Sequence, residues 1–316
     1  MSSKNTQTSP APSAPDPGTV PARSRNVAAA RRAAQARETW KEFSRNKAGI
    51  TGLAILLAVI ALALLAPVLA PASTLDVTQL TSPQNDPPSA ANPLGTDPSG
   101  RSVLALLIWG ARVSLLVGFA ATAVSMVIGT LMGMAAGHFT GATQAILMRV
   151  IDFFLVVPGL VLAIVLSSII GAGVTTIVVA IGITSWAGTA RVVRAQTLTV
   201  ESRPYIERSW ALGASDAHII GKHVLPAVMP LVLANTTLTV GSAIIAESTL
   251  SFLGLGDPSS ISWGSMLKTA LDTGAATGGF WWYVLPPGLA IVVVVLSFTL
   301  VGRAVESVIN PTLRGR

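Results

Sequence analysis

The sequence predicts an all-α integral membrane protein of six transmembrane helices with both termini in the cytoplasm. Three observations carry this expectation: scarce charge, uncharged runs of bilayer length, and a one-sided distribution of basic residues. Only 11% of the 316 residues are charged and 51% are hydrophobic, whereas an average soluble domain is about 25% charged. Such a chain cannot coat a water-facing surface, and about 20 apolar residues suffice to cross the hydrocarbon as a helix.

The first span falls within residues 48–75, which hold no charge. It begins too late and runs too long for a cleaved signal peptide. Span two lies within 113–138 and span three within about 145–168. A Gly171-Ala172-Gly173 break separates span three from span four, about 174–190. Span five is placed at about 224–246 and span six at about 287–304. Trp281, Trp282 and Tyr283 precede span six as an expected interfacial aromatic belt. The Pro-, Ser- and Thr-rich residues 1–22 cannot bury a core and are expected to be a disordered tail. Residues 23–47 carry Arg23, Arg25, Arg31, Arg32, Arg37, Lys41, Arg45 and Lys47. They read either as a basic amphipathic helix on the cytoplasmic leaflet or as a solvated basic leader. The spanning domain is thus 48–310, with 311–316 as a short cytoplasmic end.

Basic residues set the orientation. With the N-terminus inside, cytoplasmic segments hold 18 of the 21 Lys and Arg. Nine lie in 1–47, Arg149 stands alone, and Arg191, Arg194, Arg203, Arg208 and Lys222 fall between spans four and five. Arg303, Arg314 and Arg316 close the chain, which leaves only Arg101, Arg112 and Lys268 outside. This is the positive-inside pattern. The net charge of +7 therefore serves topology, and no nucleic-acid partner is implied.

Within span two, Ala121, Ser125, Gly129, Gly133, Gly137 and Gly141 recur every four residues. Positions i and i+4 share a helix face, so they form a ridge of small residues. Such ridges let backbones approach closely in lipid.

Catalytic and energy-transducing motifs are missing. A phosphate-cradling loop ends in Gly-Lys-Ser/Thr, but the only Gly-Lys pair, Gly221-Lys222, is followed by His223, and Asp216 occupies the place of the first glycine. There is no cysteine, and His138, His218 and His223 do not cluster into a plausible metal site. The chain is read as a non-enzyme without a cofactor of its own. Gradient-driven carriers display ionisable residues in mid-membrane. Here Asp152, Glu247 and Glu306 with Arg303 all fall near expected span ends, with Glu247 placed at the outer face, and the span centres look empty. For Asp152 an interfacial structural role is favoured over substrate contact.

The loop between spans four and five, 200–226, is the richest segment. From Tyr205 it predicts a short helix, a break at Gly213, and a second short helix starting near Ser215 or Asp216. Pro226 then opens the next span. Ala211, Leu212, Ile219 and Ile220 supply apolar knobs. Such a helix suits docking into a groove of a soluble partner; the plainer reading is a helical connector.

This segment resembles the Glu-Ala-Ala loop of bacterial ABC importer permeases. Glu207, Gly213, Leu225 and Pro226 fall at matching positions, while Arg208 and Ser209 replace the alanines and His223 replaces an isoleucine. In that family the loop forms the coupling helix that docks on the ATPase. The resemblance therefore marks Glu207, Ala211, Leu212, Gly213, Ala214, Ser215, Asp216, Ile220, Leu225 and Pro226 as the expected coupling residues. The stretches from Asn92 to Val103, Gly110 to Leu115, Ser251 to Gly256, Ser262 to Leu267 and Asn310 to Arg314 resemble C-type subunits of the dipeptide/oligopeptide (peptide/nickel) branch. The resemblance spans about 40–314.

It implies a type I importer permease fold in a bacterial plasma membrane and a heterodimer with a homologous second permease. It also implies two ATPase subunits carrying ATP and magnesium, and an extracytoplasmic peptide-binding protein. The expected cargo is di- or oligopeptide; the alternatives are a nickel or other metal chelate and, from another class, a gradient-driven carrier or channel.

Overall fold

The computed structural model describes residues 34, 37, 38, 40–79 and 82–309. The expected tail 1–22, the terminal 311–316 and most of the basic segment 23–47 lie outside the described residues. Residues 40–45 are helical, with Trp40 stacked on Phe43 at 5.8 Å between ring centroids. They belong to a unit separate from the one that begins at Asn46.

In that second unit the helices are α1 (Lys47–Leu69), α2 (Val103–His138), α3 (Gly141–Val156), α4 (Gly159–Ile170), α5 (Val174–Thr184) and α6 (Ala187–Glu201). They continue as α7 (Pro204–Ala211), α8 (Asp216–Ile219), α9 (Leu225–Phe252), α10 (Trp263–Asp272) and α11 (Trp281–Ile309). Among the described residues there is no β-strand, only an isolated bridge between Thr96 and Ser102. Four unbroken helical runs are long and apolar enough to cross a membrane: α1, α2, Asp216–Phe252 and α11. Two bent pairs, α3–α4 and α5–α6, bring the total to six if each crosses once.

Those two breaks differ from the straight spans three and four that the sequence predicts. Between α3 and α4 the chain turns by 89° at Val157-Pro158. Pro158 has no N–H to continue the ladder and its ring excludes the preceding turn; it instead starts α4, accepting from Leu162 N at 3.1 Å. The α5–α6 bend is 41°. There Thr184 Oγ1 donates to Ala180 O at 2.9 Å, and the buried Trp186 accepts from Ala190 N.

Helix ends follow local chemistry. Asn46 caps α1 by accepting from Gly49 N at 3.0 Å. Ser262 and Ser265 form a reciprocal capping box on α10. The run expected to be apolar to residue 75 leaves its helix at Leu69, and Trp109 Nε1 takes up the carbonyl of Ala70 at 2.8 Å. The loop before α2 folds on itself around the fully buried Asp97, which accepts from Ser99 N, Arg101 N and the Arg101 guanidinium at 2.7–2.9 Å.

α2 is the shaft of the fold, 36 residues long. Gly129, Gly133 and Gly137 face α6 so closely that an added Cβ would lie 2.8 Å from Thr189 Cβ, 2.5 Å from Ala190 O and 2.7 Å from Thr197 Cβ. Ala121 and Ser125 are buried on the same helix. Gly141, in arithmetic register with them, lies beyond the end of α2: it begins α3 at φ +67°, with nothing within 4 Å of its Cβ position. The aromatic trio also divides. Trp281 is exposed but Tyr283 is fully buried, so an interfacial belt does not describe it.

Candidate functional site

The loop between α6 and α9 lies at the His138 end of α2. α7 closes with Gly213 at φ +82°. Ala214 N donates to Ser209 O and Gly213 N to Trp210 O, the paired bonds of a Schellman stop, whose left-handed residue favours glycine. Ser215 then caps α8, accepting from His218 N at 3.4 Å. α8 is no separate second helix. It passes through a π-turn, Ile220–Val224, straight into α9, so that Asp216–Phe252 forms one run. The π-turn leaves Leu225 N bonded to Ile220 O, and Pro226, which has no N–H to offer, follows at once.

The expected coupling residues divide into two sets. Glu207, Ala211, Leu212, Gly213, Ser215, Asp216 and Pro226 are exposed, and Leu212 is the extreme at 88%. Ile220, Leu225 and Ala214 instead pack on an inner cluster that includes Met134, Val193, Val200, Ile206, Ile219 and Val224. Ile219 is fully buried. The knobs at Ile219 and Ile220 are therefore the foundation of the loop, and Ala211 with Leu212 is its tip.

Four further residues, His138, Glu201, Trp210 and Arg194, none of them among the expected coupling residues, anchor the loop. His138 ends α2 with its side chain 3% exposed; Nδ1 lies 2.5 Å from Glu201 Oε1 and Nε2 lies 3.5 Å from Asp216 Oδ1. Its ring stacks on Trp210 at 5.9 Å. Beside it Arg194 Nε donates to Ala136 O at 3.2 Å, closing the last turn of α2 with a cation. One imidazole thus ties α2, α6, α7 and α8 together. A neutral ring can donate to only one of the two carboxylates, a protonated ring to both. The signal in sequence was faint: His138 directly follows the last packed glycine of the ridge.

Other candidates fall elsewhere. Asp152 is paired with Arg191 of α6 at 2.8 Å, both half-exposed. Arg303 and Glu306 are both exposed. Glu247, expected at the outer end of span five, is fully buried inside α9. Among the described residues no His, Cys, Asp or Glu group is arranged to hold a metal ion.

The structure is a bundle of apolar helices, several long enough to cross a membrane, with an exposed, polar-anchored loop at one end. Residues 125–315 match the family model of the binding-protein-dependent transport system inner membrane component. Residues 34–88 match that of the N-terminal transmembrane domain of oligopeptide transport permease C. The chain belongs to the binding-protein-dependent transport inner membrane component family and is an integral inner membrane protein of bacteria. It is 38% identical to the dipeptide transport system permease protein DppC of Bacillus subtilis (strain 168), over 88% of this chain and 86% of that one. It is 35% identical to the oligopeptide transport system permease protein OppC of the same organism, over 87% and 90%. A chain from inward facing conformations of the MetNI methionine ABC transporter aligns at TM-score 0.48 and 22% identity, over 64% of this chain and 96% of that one.

Proposed function

We propose that the chain is one of two permease subunits of an ATP-driven peptide importer, and that the α7–α8 loop is where an ATPase subunit docks. The observation that carries the docking role is Leu212, 88% exposed on a Schellman turn whose base is fixed to α2 and α6 through His138. An apolar side chain of that exposure outside the bilayer gains about 2 kcal/mol on entering a groove. The rigid base would transmit displacement of the tip to α2.

In this reading the chain performs no bond chemistry. ATP and magnesium sit on two partner ATPases, and a homologous permease completes the path. An extracytoplasmic binding protein delivers di- or oligopeptide to the end of α2 opposite His138. The peptide assignment rests on the similarity to dipeptide and oligopeptide permeases.

Uptake of labelled di- to octapeptides by vesicles carrying the complete complex tests it, with a nickel chelate measured in parallel. Saturable, ATP-dependent peptide uptake that survives collapse of the ion gradients is the expected result. Nickel uptake without peptide competition would overturn the cargo. Uptake lost with the gradient but indifferent to ATP would overturn the mechanism in favour of a carrier.

A further inference from the structure

Glu247 is a fully buried carboxylate within a membrane-crossing helix, where an unneeded ionisable group is costly. Among the described residues no Lys, Arg or His pairs with it. Its neighbours are hydroxyls. Ser251 Oγ donates to Oε1 at 2.8 Å, Ser114 Oγ to Oε2 at 2.9 Å and Ser248 Oγ to Oε2 at 3.3 Å. Ser248 and Ser251 share α9 with it, but Ser114 belongs to α2.

Ser114 is also an acceptor. Trp263 N, the first amide of α10, donates to Ser114 Oγ at 3.3 Å. The carboxylate is thus linked through one hydroxyl to the N-terminus of a ten-residue helix, the end that favours negative charge. The Trp263 side chain, 2% exposed, reaches the same shaft, with Nε1 donating to Leu107 O at 3.0 Å. Two glycines make room. A Cβ on Gly110 would come 3.0 Å from Trp263 Cδ1, and one on Gly264 would come 2.4 Å from Ser248 O.

The segment held here walls two cavities. Pro258, Ser259, Ser260 and Ile261, just before α10, line one of about 660 Å³ together with Trp109 and Arg112. Met266, Lys268 and Thr269 of α10 line another of about 240 Å³.

We propose that Glu247 is a positioning residue: through Ser114 it latches α10 to α2, so that the wall of these cavities moves with the shaft. That the cavities belong to the transport path rests on the function proposed above; the latch does not. The role requires hydrogen-bond acceptance, not charge. A glutamine with its carbonyl at the Oε2 position keeps the acceptor for Ser114 and Ser248, and the Ser251 hydroxyl can rotate to accept from its amide. A leucine offers neither.

The cysteine-free chain gives a direct probe, Ala270→Cys, at an α10 position only 2% exposed. Maleimide labelling of membranes bearing this variant reads the latch without partners. With Glu247→Leu the labelling rate is expected to rise at least about tenfold, and with Ser114→Ala by about three- to tenfold. The double variant should label no faster than Glu247→Leu alone, and Glu247→Gln should stay within about twofold of the parent. In the complete complex, Glu247→Leu should lower peptide uptake per ATP hydrolysed, and Glu247→Gln should restore it.

Unchanged labelling with Ser114→Ala would overturn the latch, and that variant decides the question if Glu247→Leu fails to insert. Additive effects in the double variant would overturn it as well. A glutamine variant that labels slowly yet transports no better than the leucine variant would show a requirement for the carboxylate itself, which contradicts a positioning role.

Discussion

In the first third of α2 one set of polar contacts is buried and paired. Ser114 and Glu247 are fully buried, and each finds its partners within the bundle. At the His138 end, about 36 Å away at 1.5 Å per residue, the imidazole is 3% exposed, but its partner Asp216 is half-exposed and the stacked Trp210 is 44% exposed. The first joint closes on itself; the second opens onto a tip, Leu212, that no other described residue covers. A helix fixed inwardly at one end and tied to an exposed apolar tip at the other suits a lever whose driver is a separate protein. The α2–α6 glycine seam between the joints keeps the lever stiff, since close backbone packing leaves little room for sliding.

The comparison can be broken most forcefully in the seam. Gly133→Leu places side-chain atoms where Ala190 O already stands 2.5 Å from the Cβ position. It is expected to cost at least about 3 kcal/mol and to remove most of the chain from the membrane fraction. Gly141→Ala meets no neighbour and should cost about 1 kcal/mol, from its positive φ alone. Similar losses for the two, measured by detergent melting temperature, would mean that the seam is not what holds α2 to α6.

At the tip the expected effect is on partners and not on folding. Leu212→Asp should leave insertion unchanged and lower co-purifying ATPase at least about tenfold, the equivalent of about 1.4 kcal/mol. Gly213→Val strains the left-handed turn and should act the same way with some loss of stability. Undiminished ATP-dependent uptake by either variant would remove the loop from the mechanism.

His138→Phe sharpens the contrast. It keeps the stack on Trp210 but leaves Glu201 and Asp216 facing each other without the ring nitrogens, at a cost of about 1–3 kcal/mol. Hydrolysis by the complex should continue while uptake falls. Equal loss of both would make His138 a folding residue only. The smallest effect is expected from Asp152→Asn, whose ion pair with Arg191 is half-exposed; a change beyond about 1 kcal/mol would contradict a surface role.

Much of this was legible in the sequence because local chemistry enforces it. The ridge at Gly129, Gly133 and Gly137 follows from helical spacing, and the stop at Gly213 from the need for a left-handed residue. Gly141 misled because an arithmetic period does not mark where a helix ends. The bend at Pro158 was lost inside an unbroken apolar run, since apolar composition is the same on both sides of a turn. Ile219 and Ile220 read in sequence as apolar docking knobs yet pack inward, because amphipathicity does not say which side of a short helix meets the core. Glu247 reads as an interfacial residue because it directly follows the expected end of span five. Its decisive partner, Ser114, is 133 positions away, and long-range pairing of this kind leaves no local trace.

The central claim, that the tip at Leu212 is covered by a separate ATPase, has a direct test in the absence of native cysteine. Leu212→Cys should react rapidly with maleimide in membranes stripped of ATPase subunits and be protected when the complete complex is assembled. A control cysteine at Ser99, at the opposite end of α2, should react equally in both preparations. Equal reaction of the Leu212 cysteine with and without the ATPases would contradict the account.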